Sequence, residues 1–344
     1  MRISMHPLKQ NYRMKRLGFI IFISVFILTL SSCAGGGGTI VRTDTTTSGI
    51  AQVAVDECFA PIVQEQIDVF EASYRDATII PVYTNEVQAF DLLMKDSIRL
   101  IVAARELTTN ETQIIKARNQ QPRSQRYATD AIALILNNAN KDTLITISDI
   151  KRIMTGEVQS WKELNPKSPL GKIVVKFDTP NSSTVRYIRD SICRDKPLGA
   201  NLTAIVSDSA QTIDLTERTP NQLVIDYVAS DPNALGIIGV NWISNPNDPQ
   251  KLSFINKVNI MSVSSSDTAT VDNSYTPLPA YLALRRYPLS RDLYIIITDV
   301  RGGLPSGFVN FAAGEKGQRI VHKAGLYPAY ALTRVVRANP TLKD

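Results

Sequence analysis

Histidine is nearly missing from this 344-residue chain, which holds only His6 and His322. An imidazole-based zinc centre needs more than that, and with His6 so close to the N-terminus a Ser-His or Cys-His nucleophilic pair would have to rest on His322 alone, so neither chemistry is expected. Cysteine is scarce too. Cys33, Cys58 and Cys193 cannot make a disulfide scaffold, and the two internal ones are expected to be buried free thiols, with a single bridge between them as the arithmetic alternative. After residue 30 no apolar run approaches the roughly 18 residues of a membrane-spanning helix.

The one long apolar run, Leu17 to Leu30, follows Lys15 and Arg16 and ends in Leu30-Ser31-Ser32-Cys33. A charged start, a short apolar centre and small residues at the junction are the layout of a secretion signal. The cysteine makes the junction resemble a bacterial lipoprotein box. Residues 1–32 are therefore expected to be a signal peptide and Cys33 to carry lipid. Residues 33–48, rich in Gly and Thr, read as a flexible tether. The expected location is the periplasmic side of the cell envelope, with the N-terminus anchored to a membrane.

The formal net charge is +6, but Arg2, Lys9, Arg13, Lys15 and Arg16 lie in the expected signal, and without those five the charge is +1. No concentrated basic stretch remains, so nucleic acid is not an expected partner. The chain is 44% hydrophobic, enough for one large domain or two medium ones to bury a core.

Apolar spacing predicts alternating strands and helices. GIAQVAVD (49–56) reads as a strand, 58–74 as a helix, ATIIPVYT as a strand, NEVQAFDLLMKD as a helix and RLIVAA (99–104) as a strand. After Tyr127 the order restarts, with strands at 131–138, 171–177 and 234–242 and helices at ISDIKRIMTG and SSTVRYIRDSI. A strand at 293–299 and one final helix, 307–326, close the chain. Two α/β units fit this layout, with lobe I formed by 49–129 and 260–344 and lobe II by 130–259. Gly302 and Gly303 are expected in a turn of positive φ.

The stretch FDTPNSSTVRYI follows a predicted strand, on the side where open parallel sheets bind ligands. A helix starting near Ser182 would offer unpaired N–H groups, Ser182, Ser183 and Thr184 would add hydroxyls, and Arg186 a charged fork. That combination suits a small tetrahedral oxyanion. Plain N-capping by one serine, with Arg186 in solvent, is the alternative.

AVDECFAPIVQEQIDVFEASY, IVAARELTTNE, YATDAIALILNNAN, FDTPNSSTVRYI, ALGIIGVNW and YPLSRDLYIIIT lie along a chain that, from about 49 to 331, resembles the phosphate-binding, substrate-binding proteins of high-affinity phosphate ABC importers, in the lipoprotein form of Bacteroidetes-type bacteria. The resemblance implies a type II periplasmic-binding-protein fold: two lobes, two parallel or mixed sheets flanked by helices, and a two-crossing hinge. It implies no catalysis and no cofactor. It also implies a monomer whose partners are a small anion, phosphate foremost, an ABC permease, and a membrane reached through the N-terminal lipid. The family's Gly-Ser-Gly-Thr loop falls on Asn181, Ser182, Ser183 and Thr184, followed by Arg186. Its first-lobe contacts fall on Cys58 and Phe59, and its second contact loop on Thr84, Asn85 and Glu86 with the glycines missing.

A family Asp that accepts a hydrogen bond from protonated phosphate falls near Arg105. Glu86 could compensate by pairing with Arg105 or Arg186, or Arg105 and Glu86 could form a pair on the rim. Asp56 and Glu57 are further candidate pocket carboxylates, with helix capping the alternative for Asp56, and Asp130 could orient an arginine or stabilise the hinge. Sulfate, a phosphonate or a phosphorylated solute remain alternative ligands, and sensing or envelope assembly alternative roles. An enzyme reading would make Cys58 or Ser182 a nucleophile, and the lack of a histidine near either argues against it.

Mass spectrometry of the native protein checks the expected anchor. Acylated Cys33 at the mature N-terminus is the expected result, and an unmodified Cys33 excludes it.

Overall fold

A computed structural model describes residues 43–194, 196–207, 218–243, 257–299 and 301–330. The expected signal peptide, Cys33 and the first part of the expected tether lie outside the described residues. Thirteen strands occur among them: β1 (Gly49–Asp56), β2 (Ala77–Thr84), β3 (Leu100–Ala103), β4 (Arg123–Asn137), β5 (Leu144–Thr146), β6 (Val174–Phe177), β7 (Leu202–Ala204), β8 (Ala234–Gly239), β9 (Val258–Ile260), β10 (Ser262–Ser264), β11 (Ser274–Tyr275), β12 (Ser290–Ile297) and β13 (Tyr327–Pro328). The helices are α1 (Ala60–Ser73), α2 (Glu86–Met94), α3 (Thr109–Ala117), α4 (Ile147–Met154), α5 (Trp161–Leu164), α6 (Ser183–Tyr187), α7 (Pro220–Ser230), α8 (Pro279–Ala283), α9 (Leu304–Ala313) and α10 (Glu315–Lys323).

The architecture is a two-lobed α/β fold with mixed sheets flanked by helices. In one lobe the strand order is β2-β1-β3-β12 followed by the first half of β4; in the other the second half of β4 leads to β8-β6-β7, with β9 also on β4. Parallel pairing of β1 with β2 and β3, and of β6 with β7 and β8, reflects helical crossovers. β12 runs antiparallel to both β3 and β4.

The sequence reading starts a strand at 131, whereas the structure starts it at Arg123. Arg123–Ala131 pair with β12, and Ile132–Leu136 with β8. One strand thus serves both lobes, and the hydrogen-bonded path between the two expected sheets is unbroken. Thr129–Leu136 are all buried, so polar alternation, the usual strand signal, is missing where the strand crosses. β10 pairs with β5 and β11 with β10, which makes a separate three-stranded sheet.

Three further expectations are corrected. The single terminal helix is two, because Gly314 ends α9 and begins α10. Gly303 has φ −118 and caps α9, and neither Gly302 nor Gly303 has positive φ. Asp44–Ser48, assigned to the tether, are folded: Asp44 Oδ2 accepts from Leu304 N at 3.0 Å, and Thr45 bridges Ser48.

Both internal cysteines are free and buried. Trp161 and Trp242 are core residues, the first with Nε1 donating to Asn233 O at 3.0 Å. No helix among the described residues is long and apolar enough to cross a membrane.

The 44–48 strap depends on one glycine. A Cβ built on Gly307 would lie 1.8 Å from Thr46 O, whereas one on Gly302 would meet nothing within 4 Å. Gly307→Ala should therefore force the strap off α9 and cost about 1–3 kcal/mol, read as a lowered urea midpoint, with Gly302→Ala close to unchanged.

Candidate functional site

The carboxyl ends of β1 and β6 carry the same local device. An acid stands at each strand end, Asp56 as the last residue of β1 and Asp178 directly after β6, and each is followed by the start of a helical segment. Asp56 Oδ1 accepts from Cys58 N at 3.0 Å, capping the turn Glu57–Phe59 that leads into α1. Ser182 caps α6, its Oγ accepting from Val185 N at 3.2 Å while donating to Asp178 Oδ1 at 2.5 Å. α6 continues as a wider turn through Cys193, which gives the helical segment its length.

These two turns meet. Cys58 Sγ donates to Asp178 Oδ2 at 3.1 Å and lies 3.1 Å from Thr184 Oγ1. Cys58 O accepts from Asn241 Nδ2 at 2.7 Å and Trp242 Nε1 at 3.1 Å, and Glu57 Oε1 accepts from Asn221 Nδ2 at 2.8 Å. Arg291 lies behind this seam: its Nε donates to Asp130 Oδ2 at 2.8 Å, its Nη1 to Ser183 Oγ at 3.0 Å, and its Cζ sits 5.0 Å from the Phe59 ring centroid.

Asp56, Cys58, Phe59, Ser182, Ser183 and Thr184 are therefore brought together, all buried. Glu86 and Arg186 join them from the side. Arg186 donates through Nε and Nη2 to Glu86 and through Nη2 to Ala104 O at 3.1 Å, while Ala104 N donates to Glu86 Oε1 at 3.1 Å. Of the pairings open to Glu86, the structure has the one with Arg186. Thr84 is buried nearby with an unpartnered hydroxyl.

Three sequence candidates stand apart. Arg105 turns away from Glu86, holding Glu111 through two bonds of 2.8 and 2.9 Å and lying 3.4 Å over the Phe90 ring centroid, so neither the extra pocket cation nor the Arg105–Glu86 rim pair forms. Asn85 spends its side chain capping α2, accepting from Gln88 N at 2.9 Å. Asn181 is exposed at the turn.

Four residues at the seam were not singled out as site candidates: Asp178, Arg291, Asn221 and Asn241. Asp178 had a signal, since it directly follows a strand whose end faces the same seam as Asp56. Arg291 had none, because a single arginine in a strand reads as an outward-facing residue until its partner Asp130 is known to lie opposite in register.

Burial dominates the acid–base properties. It pushes Asp56 up to about 6, helped by the charge of Glu86. It pushes Glu57 well above its ordinary range, helped by Asp178 and Asp56, and raises Asp178 and Asp130 as well. The Cys58 thiol is also pushed well up, by burial first and then by Asp56 and Asp178, which is opposite to what activates a nucleophile. Arg291 stays charged, because Asp130, Cys58 and Asp56 outweigh its desolvation. Among the described residues, no cluster of His, Cys, Asp and Glu is arranged to hold a metal ion.

These raised acids predict a pH slope. The unfolded chain releases the Asp56 proton near 3.8, the folded protein only near 6. Between those values the folded state binds more protons, so stability declines as pH rises through the window, by about 3 kcal/mol for this group. Glu57, Asp178 and Asp130 add to the decline in the same direction. Urea unfolding of the ligand-free protein across that range should show it, with a shallower slope in Asp56→Asn.

Residues 41–316 match the family model for the PBP superfamily domain. The phosphate-binding protein PstS of Staphylococcus aureus (strain bovine RF122 / ET3-1) is 23% identical over 298 residues, covering 85% of this chain and 81% of that protein. A solved substrate-binding protein from Clostridium perfringens, named for phosphate ABC transport and holding phosphate, superposes with a TM-score of 0.65 at 20% identity, over 82% of this chain and all of that one. An ABC-type phosphate transport receptor from Vibrio cholerae gives 0.58 at 17% identity, over 81% of this chain and all of that one. With a family model that spans most of its length and a matching two-lobed fold, the chain belongs to the PBP superfamily.

Proposed function

We propose that the protein binds a small tetrahedral oxyanion, inorganic phosphate, in the cleft between its lobes and delivers it to an ABC importer from the outer face of a membrane. The observation that carries this reading is the meeting of two helix starts, at Cys58–Phe59 and Ser182–Thr184, in front of the buried Arg291. Helix starts direct N–H groups and the positive dipole end at whatever lies between them, and a guanidinium adds a full charge. A doubly charged anion gains from all of these.

The relatives named for phosphate binding favour phosphate over sulfate, a phosphonate or a phosphorylated solute. Buried carboxyls point the same way: Asp56, whose Oδ2 has no hydrogen-bond partner, can accept from a protonated oxyanion, and sulfate carries no such proton near neutral pH. Asp56 thus takes the acceptor role that the sequence resemblance put near Arg105. Delivery to a permease, lipid anchoring through Cys33, a monomeric state and the lobe limits near 130 and 260 belong to the same reading. Binding is favoured over catalysis because burial and the neighbouring Asp56 and Asp178 hold Cys58 as a thiol, and among the described residues no histidine stands beside Ser182 to act as its base.

Isothermal titration of the chain from residue 43 onward against phosphate and sulfate tests this. Phosphate should bind and sulfate should not. Arg291→Gln should cost about 1.5–3 kcal/mol, the range for a bond to a charged group, or roughly 10- to 150-fold in affinity. Arg105→Ala should leave affinity unchanged. Loss of nothing in Arg291→Gln would remove the site from this cleft.

A further inference from the structure

Of the polar groups at the seam, Asp178 has the least obvious part in holding an anion. It is fully buried, it carries the wrong charge, and it sits at the base of the loop that supplies the hydroxyls. We propose that the Asp178 carboxyl is an internal stand-in for the anion, occupying donors that the ligand needs, tying the two sides of the cleft together, and setting affinity by having to be displaced. The displacement half rests on the anion-binding reading above, while the closure half does not.

Donor protons limit what the seam can hold. A hydroxyl or thiol has one to donate. Ser182 Oγ gives its proton to Asp178 Oδ1 at 2.5 Å and uses its acceptor side on Val185 N. Cys58 Sγ gives its proton to Asp178 Oδ2 at 3.1 Å. Both donors are therefore spent on one carboxyl, each on a different oxygen, in the way that two groups flanking a bound oxyanion would share it. An incoming anion can obtain either donor only if Asp178 lets go.

Position makes the same carboxyl a bridge. Asp178 follows β6, in the second lobe, and Cys58 follows β1, in the first. The bond between them spans the cleft. The charged or titratable groups around Asp178 are Cys58, Asp56 and Glu57 from the end of β1 and Arg291 from β12, beside the hydroxyls of Ser182 and Thr184 on its own side. In that enclosure an anion and an ionised Asp178 would repel, so entry requires the carboxyl to rotate out or to take up a proton. A state that is closed without ligand also lowers apparent affinity in proportion to the fraction of molecules open to binding.

The test compares the wild-type chain from residue 43 onward with Asp178→Ala and the near-isosteric Asp178→Asn, using titration with inorganic phosphate and small-angle scattering with and without it. Asp178→Ala should bind phosphate at least about tenfold more tightly. Its ligand-free radius of gyration should exceed the wild-type value and return to it when phosphate is added. Asp178→Asn should fall between the two. Equal or weaker phosphate binding in both variants overturns the displacement claim, and a ligand-free scattering profile identical to wild type overturns the closure claim. If no chain binds phosphate, the anion-binding reading falls, while scattering alone still decides closure. Cys58→Ala removes the other side of the bridge and should open the empty cleft in the same way, which keeps the closure claim testable if Asp178→Ala does not fold.

Discussion

The buried ion pair between Asp130 and Arg291 holds the rest of the site in place. The two residues face each other in the register of β4 and β12, at the last stretch of β4 before it changes lobes. Burying an ion pair costs desolvation that its own attraction only partly returns, and a hydrophobic pair would often be as stable there. What the pair provides is a fixed guanidinium, oriented by a strand pairing rather than by a loop, from which Ser183 and the Phe59 ring take their positions. Both ligand-side turns are thus referenced to one rigid strand pair. Because β4 runs through both lobes, that reference point lies where relative motion of the lobes is smallest.

Around this cation the carboxyls outnumber their partners. Asp56, Glu57, Glu86, Asp130 and Asp178 converge on a seam whose buried or half-buried cations are Arg291 and Arg186. Water cannot screen such a group, so it stays neutral or finds a donor inside the protein. The donors found are the ones nearest the cleft: the Ser182 hydroxyl, the Cys58 thiol, the Asn221 amide and the Arg186 fork. The acid excess therefore shapes the site as much as the helix starts do. It also separates this cleft from a simple positive funnel, in which long-range attraction would carry most of the selectivity.

Much of the fold was legible because its signal is local. β1 and β2 fall on the predicted residues, since alternating apolar positions bounded by turn residues leave little choice of register. The loop at 181–186 was legible for a similar reason: hydroxyls grouped after a strand announce a helix start. Pairings that depend on distant segments were not legible. Nothing near Arg105 says that Glu111 will take it, and nothing near Arg291 says that Asp130 will lie opposite. The same holds for the crossing strand, which is apolar on both faces and so reads as beginning where the polar residues stop. The 44–48 strap was missed because its composition is that of a linker, and its order comes from Asp44 at the start of α9 and the missing side chain of Gly307, some 260 residues later in the chain.

The chain has two tryptophans, and they sit in different surroundings. Trp161 is sealed in the second lobe with its N–H on Asn233 O, whereas Trp242 donates to the Cys58 carbonyl at the seam, beside the helix start that would face a ligand. Indole emission responds to the field and hydrogen bonding at that N–H. Any rearrangement of Cys58 would therefore alter the light emitted by one chromophore and leave the other as an internal standard, so the protein carries its own optical gauge of the seam without an added dye.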